Sequence, residues 1–263
     1  MPSYRPVEAV MRALDLLEAL NLQKVCSVAM LHETTGLPKS TIVRLLETLI
    51  KKGYVINDSR QGGYQVTSLV QSLSCGFHGD PLVVEAGRAW LIEFTRCYKW
   101  PVSIALYDYD AVVIRFSTIP DSPVSPFHTT INMRLPLLTR ALGRAYLAFC
   151  APDEQNIILD ILAKSTHPED SKAKKREEAV HMLNCIRKTG YAIRPQRIEP
   201  LSSSTLAVPI IYEEKVLATV GMTYFRSAIS DIRMVEQFLD PLQRLAKNIV
   251  STIARLDSQS SPL

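Results

Sequence analysis

Lys39, Ser40, Thr41 and Arg44 lie in the stretch GLPKSTIVRLLETLIKKGYV, residues 36–55, and together carry the chemistry of phosphate and base-edge recognition. An ammonium meets phosphate as a point charge, short hydroxyls bond phosphate or base edges, and a guanidinium forms a two-pronged pair with guanine. The same stretch repeats Ile42, Leu45, Leu46 and Leu49 at helical spacing. A helix of this kind packs along one face and offers its N-terminal tip to the major groove. The free N–H groups and partial positive charge of that tip also favour phosphate. A packed helix with a solvated basic face has the same composition, so the flanking elements must decide.

Those elements favour a duplex. Gly36 supplies a turn and Pro38 suits the start of the helix. A short helix is expected over residues 27–34, with Ser27 as its N-cap and Val28 and Leu31 facing inward. Residues 6–20 read as an amphipathic helix with Val7, Val10, Met11, Leu14 and Leu17 as its apolar stripe. After Gly53, two β-prone stretches, YVIND and YQVT, flank a Gly-Gly turn and predict a hairpin. Three helices and a hairpin make a winged helix-turn-helix. Its wing places Arg60 and Gln61 against a groove or backbone, while Tyr64 packs beneath. Residues 1–80 hold eight Lys/Arg against seven Asp/Glu, so bulk charge carries no signal; four of the eight fall on one helix against Glu47 alone.

Composition narrows the remaining classes. A hydrophobic share of 47% indicates a folded protein, and no apolar run is long enough to span a bilayer. The N-terminus has no hydrophobic signal core, so a cytoplasmic protein without membrane contact is expected. The five cysteines are scattered and form no Cys-x-x-Cys pair, which argues against disulfides and zinc. No nucleophile elbow, phosphate loop or His-x-x-x-His pair is present, and the five histidines are isolated. An enzyme is therefore not expected, nor a metal or cofactor. SSST at residues 202–205 offers hydroxyls but no base at a telling spacing.

Residues 68–98 read as a helical connector carrying the stripe Val83, Gly87, Trp90, Leu91, Phe94 and Tyr98. Beyond it the strands PVSIALY and AVVIRFSTI pair about residues 108–110, and TLAVPII and VLATVGMTY pair about residues 213–215. Helices are expected over residues 139–149, 152–163 and 171–189, the last closed by Gly190, with a final helix through Val235 and Ile253 and a frayed tail. The class is α+β: a winged helix-turn-helix over residues 1–67 (motif at about 31–50), a helical linker over 68–98, and an antiparallel sheet with flanking helices over 99–257, followed by a tail over 258–263.

The chain resembles the IclR family of bacterial transcription regulators. GLPKSTIVRLLETLIKKGYV is similar to that family's helix-turn-helix signature, and RLPLLTRALGRAYLAF, CIRKTGYAIR and STLAVPIIYEEKVLATVGMTY to successive segments of its effector domain. Within the family, WPVSIALYDYDAVVIR, SPFHTTINMRLPLL and YLAFC resemble regulators of aromatic-acid breakdown, of the 3-(3-hydroxyphenyl)propionate type. The resemblance implies a homodimer or dimer of dimers on operator DNA, a GAF-like domain that binds a small metabolite, and RNA polymerase as a further partner if the protein recruits it. The DNA-facing set becomes Lys39, Ser40, Thr41 and Arg44. The effector cavity maps onto Arg140, Ala141 and Leu142, Arg194 with Ser203, Ser204 and Thr205, and Gly221 with Thr223.

Two positions depart from the family: Leu138 replaces the usual histidine, and Arg194 stands where many members have an acidic residue. An aromatic acid needs an apolar slot for its ring and a cation for its carboxylate. Arg134, Arg140 and Arg194 are candidates for the cation, with surface or interface ion pairs as their other use. A metabolite sensor acting only through protein contacts, with a vestigial winged helix, is the alternative; specific binding to a short duplex separates the two.

Overall fold

The computed structural model describes residues 4–58, 60, 62–74, 81–126 and 130–260. The chain divides into two units, Met1–Gly79 and Asp80–Leu263. In the first, α1 (Glu8–Asn21), α2 (Val28–Thr35) and α3 (Lys39–Lys51) precede an antiparallel hairpin of β1 (Val55–Asp58) and β2 (Gly63–Val66). The local signals act as expected. Ser27 caps α2 by accepting from the Met30 N–H at 3.2 Å. Gly36 ends α2 at a φ of +69°, a left-handed turn that a side chain would resist. The His32 Nδ1–H donates to the Leu37 carbonyl at 2.7 Å, tying the turn that aims α3. Cys26 and Tyr64 exchange backbone hydrogen bonds of 2.9 and 2.8 Å, adding a bridge to the wing.

Leu16, Leu20, Leu31, Ile42, Leu46 and Val55 close this core. The apolar stripe expected on α1 is corrected: only Leu17 is buried, while Val7, Val10, Met11 and Leu14 are exposed. The face that packs is instead set by Leu16, Leu17, Ala19 and Leu20, near the end of the helix that lies on α2 and α3.

The second unit begins earlier than the sequence suggested. A 3₁₀ segment covers Ser68–Ser74, but α4 (Leu82–Tyr98) packs through Val83, Val84, Leu91 and Phe94 into the second core. That helix is a structural layer of the second unit. Then follow β3 (Val102–Asp108), β4 (Ala111–Ser117), β5 (Arg134–Pro136), α5 (Ala141–Phe149), α6 (Pro152–Lys164), α7 (Arg176–Thr189), β6 (Ala192–Ile193), β7 (Ser203–Tyr212), β8 (Lys215–Phe225) and α8 (Asp231–Ser260). Helix α8 runs to Ser260, so the tail expected from residue 258 is helical as far as it is described. The helix expected over 171–189 starts at Arg176, preceded by a 3₁₀ segment, Pro168–Lys174. No helix among the described residues is long and apolar enough to cross a membrane.

The strands form one antiparallel sheet in the order β5-β4-β3-β8-β7-β6. Side chains alternate across it. Ile104, Leu206, Val208, Ile210, Val220 and Met222 face α4 and α8, and the Trp90 indole N–H ties those helices by donating to Thr252 Oγ1 at 3.0 Å. Ala105, Val112, Ile114 and Ala207 belong to the opposite core with α5, α6 and α7. Small residues let α5 settle close to the sheet. A Cβ on Gly221 would sit 2.9 Å from Leu142, and one on Gly143 would sit 2.6 Å from the Pro136 carbonyl oxygen. Gly143→Ala is therefore expected to destabilise the second unit by about 1–3 kcal/mol through overpacking against backbone; urea unfolding checks it, and an unchanged midpoint would refute the close fit.

Candidate nucleic-acid interface and ligand cavity

Pro38 opens α3, and no side chain caps the helix, so the first-turn N–H groups of its tip are left for an outside acceptor. Lys39, Ser40 and Arg44 are exposed there, and Thr41 is half-buried. Among the described residues, neither the Lys39 nor the Arg44 side chain has an ion-pair or hydrogen-bond partner. The opposite face is anchored by Ile42 and Leu46, both fully buried. Arg60 is exposed at the hairpin turn, its backbone N–H donating to Asp58 Oδ1 at 2.9 Å. Gln61 lies outside the described residues. The helix tip and the wing are thus two cationic points on a small rigid scaffold.

The second unit encloses a cavity of about 690 Å³. Ser103 of β3, Ala111 and Ile114 of β4, Thr205 of β7 and Thr223 of β8 reach it from the sheet. Arg140, Ala141 and Leu142 line it from the start of α5, where no side chain caps the helix and the first-turn dipoles add positive potential. Arg194 completes the set that the sequence brings to this wall. Thr205 and Thr223 share a hydrogen bond of 3.1 Å across the paired strands.

Ser203, Ser204 and Gly221 do not line the cavity among the described residues. The Ser203 hydroxyl accepts from Arg194 Nη2 at 2.9 Å, and Ser204 Oγ accepts from Arg226 Nη2 at 3.2 Å, so both brace the wall from behind. Gly221 lies beneath Leu142. Leu138, the departure from the family's histidine, is fully buried in the core.

Each arginine of the cavity already holds protein groups. Arg134 pairs with Asp108 and, at 2.6 Å, with Asp110 at the rim, where its side chain is half exposed and the pair contributes little. Arg140 pairs with Glu169 at 2.7 Å and donates to the Glu199 carbonyl. Burial opposes ionisation of Glu169, but hydrogen bonds from Thr139 and Arg140 outweigh it and hold its carboxyl below the usual value. Arg194 is 4% exposed and donates to the carbonyls of Glu199, Pro200 and Ser203. Burial first, then the Arg140 and Arg226 cations, lower its pKa to about 10, so it stays charged at neutral pH. The Nε–H groups of Arg140 and Arg194 and the hydroxyl of Thr130 are buried without a partner among the described residues.

Several lining residues carried no local signal. Ile119, Thr130, Met133 and Leu135 build an apolar side around β5, a strand of three residues. His167, Glu169 and Asp170 arrive on the 3₁₀ segment, with Glu169 thirty residues from its partner Thr139. The pair Glu169-Asp170 directly after Pro168 was the one available hint.

A winged helix-turn-helix joined to a sheet domain with a cavity of ligand size defines a DNA-binding regulator. Residues 9–59 match the IclR helix-turn-helix domain, and residues 85–251 match the C-terminal domain of bacterial transcriptional regulators of the IclR type. The chain belongs to the IclR family of transcriptional regulators. It is 25% identical over 241 residues to the HTH-type transcriptional regulator XynR of Escherichia coli K12, covering 90% of this chain and 94% of that protein. Its fold is similar to that of the transcriptional regulator RHA06195 from Rhodococcus sp. RHA1, with a TM-score of 0.64 at 20% identity over 95% of this chain and 100% of that one. It is also similar to an IclR homolog from Microbacterium hydrocarbonoxydans complexed with 4-hydroxybenzoate, with a TM-score of 0.59 at 16% identity over 94% and 100% of the two chains.

Arg194 spans the carbonyls of Glu199, Pro200 and Ser203, sharing the first with Arg140. Arg194→Ala is expected to destabilise the second unit by about 1.5–3 kcal/mol. Urea denaturation with a wild-type reference is the check, and equal midpoints would show that those hydrogen bonds contribute nothing net.

Proposed function

We propose that this regulator reads its operator with Lys39, Ser40, Thr41 and Arg44 at the tip of α3, assisted by Arg60 and Gln61 of the wing, and that a small carboxylate in the second-unit cavity sets its affinity for DNA. The observation that carries the DNA reading is the unpaired, exposed state of Lys39 and Arg44 on a helix whose other face is fully buried. Surface cations with no protein partner at an uncapped helix tip are suited to phosphate and guanine. A single winged helix has a small footprint for specific affinity, so the protein acts as a homodimer or a dimer of dimers. The exposed apolar residues Val10, Met11 and Leu14 of α1, with Val7 just before it, support self-association.

The effector reading rests on the Arg140, Ala141, Leu142, Arg194, Thr205 and Thr223 wall, with Ser203, Ser204 and Gly221 behind it. An aromatic carboxylate fits: Ile114, Ile119, Met133, Leu135 and Leu142 offer an apolar slot, and Arg140 and Arg194 on the lining bring positive charge for the carboxylate. The homolog complexed with 4-hydroxybenzoate supports the same class of ligand. The controlled genes then encode breakdown of that acid, in the cytoplasm, by blocking RNA polymerase or recruiting it.

Arg44→Ala is expected to weaken binding to an operator duplex, selected from a random pool with the wild-type protein, by about 1–3 kcal/mol. Fluorescence anisotropy measures this, and an unchanged affinity removes Arg44 from the interface. Lys39→Ala should weaken all duplexes alike and reduce the salt slope by about one. Light scattering at the monomer mass would end the dimer reading.

A further inference from the structure

One wall of the cavity has no role in the reading above. Asp170, on the 3₁₀ segment Pro168–Lys174, lines the cavity and is 5% exposed. Among the described residues, none donates a hydrogen bond to its carboxylate. Its neighbour Glu169 differs, being held by Thr139 and Arg140. Nor does Asp170 serve as the counter-ion of the cavity arginines. Arg140 takes Glu169 for that purpose, and the charges acting on Arg194 are Arg140, Arg226, Tyr224 and Glu199. A carboxylate that lines a cavity with no protein donor leaves its lone pairs for a donor that enters the cavity.

We propose, resting on the carboxylate-effector reading, that the effector is a hydroxylated acid whose hydroxyl donates to Asp170. The donor is neutral rather than an ammonium, because Arg140 and Arg194 line the same space and repel a cation. A hydroxyl also accepts. His167, on the same wall, receives the Glu169 N–H at its Nδ1 at 3.3 Å, which leaves the proton of its neutral ring on Nε2 as a donor. Asp170 is thus a specificity residue: the apolar slot and the arginines admit acids in general, and this carboxylate selects those with a hydroxyl.

The test is calorimetry on the full chain with matched pairs of acids. Benzoate and 3-phenylpropanoate serve as parents, against their 2-, 3- and 4-hydroxy ring derivatives and the side-chain hydroxy acid 3-phenyllactate. At least one hydroxylated member is expected to bind the wild type about tenfold or more tighter than its parent, as expected where a site hydrogen-bonds a ligand hydroxyl. That preference should collapse towards unity in Asp170→Ala. Asp170→Asn, which keeps the size of the side chain, should lose roughly fivefold of it as a charged acceptor becomes neutral; it stands in if the alanine variant fails to fold by circular dichroism. Parents and derivatives binding the wild type equally would overturn this proposal while leaving the carboxylate reading intact. A preference that survives in the variants would overturn it too. No binding by any member would overturn both.

Discussion

The antiparallel pairing of β3 with β8, from Val102 opposite Met222 to Ala105 opposite Thr219, joins two hairpins through residues more than a hundred positions apart in the chain. Without it there are two ribbons, neither of which can bury a face independently. With it, alternate residues acquire a side: Ile104, Val220 and Met222 go to α4 and α8, while Ala105 goes to α5. The same register carries Ser103 and Thr223 to one cavity wall. Both cores of the second unit, and the space its ligand would occupy, follow from this one line of hydrogen bonds.

The cavity illustrates how buried cations are used. Arg194 spends its hydrogen bonds on the 199–203 loop, and Arg140 on Glu169 and the Glu199 carbonyl. They are struts of the cavity wall. Two like charges on one wall are tolerable because carbonyl dipoles and Glu169 offset them.

What could be read from the chain tracks the range of the forces involved. The winged unit was legible because its determinants are local: Ser27 as a cap, Gly36 as a left-handed turn, Pro38 before α3, and a two-glycine hairpin. The α1 stripe misled because exposed Val7, Val10, Met11 and Leu14 have the same periodicity as a packed face, and periodicity does not say what lies opposite. Helix α4 looked like a connector because nothing within it reveals that α8 covers it, a contact such as Trp90 with Thr252 spanning 162 residues. Arg140, Leu142, Arg194, Thr205 and Thr223 came from resemblance to a family, and the structure brings them to one wall. Asp170, Glu169 and Thr130 stayed hidden because neither motif nor period links them to that wall.

The seating of α5 has a mechanical consequence. Gly143 rests on the Pro136 and Leu137 backbone, so main chain opposes main chain there, while Gly221 leaves room for the Leu142 side chain. That boundary of the cavity is stiff. The lining also includes Met133, whose unbranched thioether adapts at low cost. A change in the shape of this cavity is therefore easier at the Met133 side chain than at the seat of α5.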